Sequence, residues 1–106
     1  MTAHRAFFGD AEYDFRLTVP MILELERGTG VGVGALCNRI FNRDFAHSDL
    51  TETIKLALIG GGTAPERAAS LVAAYAIGRP LSEIYPLAAA IADALWFGEQ
   101  KEAALG

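Results

Sequence analysis

Glycine stands at every second position from Gly28 to Gly34 in the stretch RGTGVGVGAL, a spacing that can cradle a phosphate. Gly30, Gly32 and Ala35 satisfy G-x-G-x-x-A. A dinucleotide fingerprint also wants an acid about 20 residues on, and Asp49 or Glu52 is roughly there. That chemistry needs a buried strand ahead of the glycines. The preceding TVPMILELER has helical spacing instead, and no Gly-Lys-Ser/Thr follows to make a Walker loop. The stretch therefore reads as a joint between helices, where glycine admits positive φ and lets helices approach closely. A second run, Gly60 to Gly62, precedes TAPE, and backbone N–H groups at a helix start can hold an anion. Glu66 would repel one, and it reads better as the reciprocal partner of Thr63 in a capping box.

The other reactive side chains are dispersed. His4 and His47 lie far apart, with no second histidine or cysteine at ligand spacing, so no metal site is expected. Cys37 is the single cysteine. It falls on an apolar stripe and reads as a small hydrophobe, and no internal disulfide can form. Ser48, Ser70 and Ser82 read as caps or helix surface, leaving no nucleophile with a base and an orienting group. The acid pairs Asp10/Glu12 and Glu24/Glu26 have i, i+2 spacing, which faces them apart on a helix. The residues predict no catalytic group, no cofactor and no metal.

The elements that carry these residues are legible from periodicity. HRAFF and EYDFRL flank a turn at Gly9, Asp10 and Ala11 and predict a β-hairpin, with Tyr13, Phe15 and Leu17 on its buried face. Thr18 is the expected cap of a helix with Pro20 in its first turn, and Gly28 its expected left-handed stop. A second helix starts near Val33, with Leu36, Cys37, Ile40 and Phe41 on one side, and breaks at Asn42, Arg43 and Asp44. Ser48 is the expected cap of a third, whose stripe is Leu50, Ile54, Ala57 and Leu58. The fourth follows the glycines with Ala68, Leu71, Val72 and Tyr75 inward. The last runs from about Ser82 to Phe97, with Ile84, Leu87, Ala88, Ile91 and Leu95 inward and Gly98 as its stop. The expected fold is mostly α (α+β), a short hairpin packed on a bundle of four to five helices. Residues 1–98 read as one domain and 99–106 as a polar tail.

About half of the 106 residues are apolar and about a fifth are charged, a globular composition. The net charge is −4 and the nine basic residues are scattered, which argues against a nucleic-acid partner. There is no secretory signal pattern, and the most apolar stretch, Pro86 to Phe97, is too short to span a bilayer, so a cytoplasmic protein is expected. What remains is apolar surface. Phe7, Phe8, Tyr13 and Phe15 cannot all point one way, and Trp96 and Phe97 widen the apolar sector of the last helix. These six are the candidate partner-binding residues, because large aromatics are enriched at interface anchors. Glu12, Asp14, Arg16 and Glu99 are the candidate charged ring around them.

The order of segments, from LTVPMILELERGTGVGVGALCNRI through IKLALIGGGTAPERAASLV to RPLSEIYPLAAAIADALWFG, resembles the small tail-assembly proteins of gene transfer agents and related prophages. These are grouped with tail assembly chaperones and are also described as tail tube proteins. The similarity runs from about Arg5 to Gly98, and its most specific pieces are LIGGG-x-x-P and ALWFG. The resemblance implies a non-enzymatic protein that binds the tape-measure protein, helps tail tube subunits polymerise, and is absent from the finished particle. It brings no catalytic residues. The alternatives are a structural tube or connector subunit that stays in the particle, and a helical DNA-binding regulator using the helices around the glycine turn. Homo-oligomerisation is left open.

Overall fold

The structure is a computed structural model that describes residues 3–98. The polar tail expected over 99–106, with Glu99 in it, lies outside the described residues. Strand β1 (His4–Phe8) and strand β2 (Ala11–Phe15) form a two-stranded antiparallel sheet. Five helices follow: α1 (Val19–Thr29), α2 (Val33–Phe41), α3 (His47–Gly60), α4 (Pro65–Tyr75) and α5 (Leu81–Phe97). The mostly helical fold with an N-terminal hairpin is the one the periodicity predicts.

Helix α3 is the centre. It packs against α1, α4, α5 and β2, and Leu50, Ile54, Ala57 and Leu58 are all fully buried. The stripe read from sequence is therefore core, and the burial goes further round the helix to Thr51, Thr53 and Leu56. Two buried hydroxyls are tolerable because each is satisfied within the helix. Thr53 Oγ1 donates to Asp49 O at 2.6 Å and Thr51 Oγ1 to Ser48 O at 3.4 Å. The hairpin closes one side of this core through Phe8, Phe15 and Leu17. Phe8 meets Phe15 edge-on at 6.0 Å and Tyr75 at 6.1 Å.

Three expected caps are replaced by other devices. Helix α1 runs through Gly28 and stops at Gly30, whose φ of 80° is the left-handed turn and whose N–H donates to Glu26 O. Helix α3 begins at His47 rather than at a Ser48 cap. There the Asp49 carboxylate accepts the Ala46 N–H at 2.8 Å. The Thr63–Glu66 box does not form, and α4 starts from Ala64 with no side-chain cap bond. The reason is that Thr63 serves the preceding helix, its N–H wrapping back to Leu58 O at 2.9 Å.

Asp49 also ties α3 to α2. Its carboxylate takes a hydrogen bond from the Arg39 guanidinium at 2.6 Å, with Asp49 only 2% exposed and Arg39 31%. Removing the cation leaves a buried carboxylate with one N–H, a worse outcome than losing an exposed pair. Arg39→Leu is expected to lower unfolding free energy by about 2 kcal/mol in a urea titration.

Candidate functional site

Glu26 answers the question raised by the alternating glycines. Its carboxylate accepts the Val33 N–H at 2.8 Å, sitting at the first turn of α2 where a bound anion would sit. The joint is held by the chain's own acid. A Cβ added at Gly28, Gly30 or Gly34 would meet nothing within 4 Å, so the close helix approach expected at this joint is not there.

Cys37 is buried, and burial alone pushes its thiol above the ordinary value. Thiolate is the reactive form, so Cys37 is expected to resist a thiol reagent in the native protein and to react after denaturation. Rapid labelling without denaturant would contradict its packing. Among the described residues, no group of three or more His, Cys, Asp and Glu is placed to hold a metal ion. No helix among them is long and apolar enough to cross a membrane.

The six candidate aromatics divide. Phe8 and Phe15 are core side chains, 7% and 1% exposed, and drop out of any contact surface. The reason is the strand alternation that turns Phe7 outward, 67% exposed, when Phe8 turns in. Tyr13 is half-buried and already engaged. Its hydroxyl donates to Asp10 at 2.7 Å, holding that carboxyl below its usual range, and accepts from Arg67 at 3.0 Å. The charged ring is likewise spoken for in part, with Glu12 and Asp14 both paired to Arg5.

Trp96 and Phe97 are 58% and 62% exposed at the C-terminal end of α5. With Asn38, Phe41 and Asp93 they line an open groove of about 330 Å³. Helix geometry builds it. Helices α2 and α5 pack through Leu36, Cys37 and Ile40 on one side and Ala88, Ile91 and Ala92 on the other. The next positions round each helix become the rim: Asn38 and Phe41 at i, i+3, and Asp93, Trp96 and Phe97 at i, i+3, i+4. Phe41, read from sequence as inward, is 38% exposed and belongs to this rim. Its place after Ile40 at the last turn of α2 is the signal that would have found it.

Phe7 lies elsewhere. It lines a separate depression with Gly9, Tyr75, Arg79 and Glu83, near the start of α5. At 1.5 Å rise per residue, Glu83 and Trp96 are about 20 Å apart along the helix, so the two aromatic ends do not form one surface. A third, mostly apolar depression lies beside Phe45 and Tyr85, which stack at 5.5 Å with the Arg43 guanidinium 5.4 Å from the Tyr85 ring. In the glycine-turn pair α3–α4, Arg67 of the would-be recognition helix is bound to Asp10 at 2.7 Å.

These features define a small, mostly helical protein with an exposed aromatic groove between α2 and α5. The sequence profile of the family described as phage tail tube protein, GTA-gp10, matches residues 2–98, and the chain belongs to that family. It is a family of phage tail proteins, not a known enzyme family. No match was found among the curated proteins or among the solved structures.

Proposed function

We propose that this chain is a tail assembly chaperone of a gene transfer agent or prophage, acting in the host cytoplasm. It binds the tape-measure protein through the α2–α5 groove and promotes polymerisation of tail tube subunits around it. The observation that carries this reading is the groove formed by Phe41, Trp96 and Phe97, a desolvation-ready anchor on the surface of a small protein. Asp93 and Asn38 at its rim give the polar border that a releasable contact has.

Co-expression with the tape-measure protein tests it. Greater soluble recovery of the tape measure, and its co-purification with this chain, are the expected results. An unchanged recovery counts against the chaperone role. The second reading is a structural subunit of the tail tube or its connector, favoured by the description tail tube protein that the family carries. Mass spectrometry of purified particles separates the two, since stoichiometric presence belongs to a subunit and absence to a chaperone. Among the described residues the sheet has only two short strands, which supports the chaperone over a sheet-built ring subunit.

A further inference from the structure

The two edges of the hairpin are treated differently by the fold. Arg5 pairs with Asp14, Ala6 with Tyr13, and Phe7 with Glu12. An antiparallel ladder alternates pairs that exchange hydrogen bonds with pairs whose N–H and C=O point away from the ladder. The Arg16 N–H leaves the ladder and donates to Ala57 O at 2.9 Å. The carbonyl oxygens of Asp14 and Arg16 lie against Gly61 and Gly60. Glu12 and Asp14 are therefore the outward set of β2, continued by Arg16 just after it, and the opposites of the first two, Phe7 and Arg5, are the outward set of β1. The last turn of α3 covers the β2 edge. Helix α5 also packs against β1, but it takes none of that strand's outward backbone groups: the sheet has two strands, and among the described residues no backbone group bonds to the outward N–H or C=O of Arg5 or Phe7.

We propose that the β1 edge pairs with the β1 edge of a second copy, antiparallel about a two-fold axis at Ala6, to give a four-stranded sheet. An open row of N–H and C=O groups is complementary to another such row. The residue order selects the same row of a second copy. A two-fold at Ala6 sets Arg5 of one copy opposite Phe7 of the other, twice, as hydrogen-bonded pairs on the exposed face. Each guanidinium then meets an aromatic ring rather than a like charge. Ala6 faces Ala6 at the non-bonded position, where backbones come closest and a small side chain fits. Sliding the register one way sets Arg5 against Arg5, and sliding it the other way runs Arg5 onto the turn at Gly9. The edge also lacks the usual guards. It has no proline, and the charge of Arg5 is held by Glu12 and Asp14 at 3.3 and 2.9 Å on its own hairpin. A symmetric contact of this kind closes on itself as a dimer. It uses other residues than the α2–α5 groove and stands whether or not the chaperone reading does.

Sedimentation of the full chain over a wide concentration range tests it. The expected mass rises from monomer to dimer and no further. Phe7→Pro removes an N–H that the hairpin does not use, and proline is tolerated at a strand edge. It is expected to weaken the dimer by about tenfold or more, since each copy loses a donor. Arg5→Pro tests the same edge independently if Phe7→Pro does not fold. In amide exchange on the wild type, Arg5 and Phe7 are expected to become protected as concentration rises. Any one of the following overturns the proposal: a monomer at all concentrations, larger oligomers, a dimer that survives in the folded proline variants, or concentration-independent exchange at both amides. Loss of tape-measure recovery in Phe7→Pro with a monomeric wild type would assign the edge to a partner's strand, and would also overturn it.

Discussion

Gly60→Ala and Gly61→Ala are each expected to destabilise the protein by about 3 kcal/mol, lowering the melting temperature by about 10 °C or more. The cause is contact, not backbone conformation. Gly61 has φ −85°, and neither residue is in the left-handed region, so alanine is locally acceptable at both. A Cβ at Gly60 would stand 1.9 Å from Arg16 O, and one at Gly61 would stand 1.9 Å from Asp14 O. Both obstacles are main chain, of β2 at Asp14 and of the residue just after it at Arg16, which cannot swing aside as a side chain would. Either variant must push the hairpin off the end of α3, and with it the packing of Phe15 and Leu17. Gly28→Ala and Gly34→Ala are the controls. Both lie inside helices with open space around them, and each is expected to raise stability by about 0.5–1 kcal/mol. Urea titration of the four variants reads the contrast directly. Equal effects at 28 and 60 would mean that the α3–β2 contact is not close.

That contrast shows where the sequence could be read and where it could not. The glycine runs at 28–34 and 60–62 both mark helix ends, and periodicity located both. Which glycines face another backbone depends on what the fold brings to them, and Arg16, just after β2, reaches Gly60 from far along the chain. The same holds for Asp49. Its position at the start of α3 is visible locally, but its bond to Arg39 requires α2 to lie alongside. Adjacent Phe7 and Phe8 had to face opposite ways, and only the register decided that Phe8 went inward. The candidate groove was half legible. Trp96 and Phe97 stand out on α5 because Leu95 already marks the packed side, whereas Phe41 matters only because α2 ends beside them.

Replacing Trp96 and Phe97 together by alanine is expected to abolish tape-measure binding, a loss of about 4 kcal/mol if each ring is an anchor. That corresponds to about a thousandfold in affinity. The fold should tolerate the change, because both rings are more than half exposed, while Ile91 and Ala92 keep α5 in the core. Stability in urea is therefore expected to move by less than about 1 kcal/mol. Phe41→Ala is expected to weaken binding by a smaller factor, since that ring is already the most covered of the three. Phe7→Ala, at the other end of α5, should leave tape-measure binding unchanged. This pattern is what distinguishes a groove from general stickiness: non-specific apolar association would fall with any exposed aromatic, Phe7 included. If Phe7→Ala weakens binding as much as the Trp96 and Phe97 changes do, the α2–α5 groove is not the contact site.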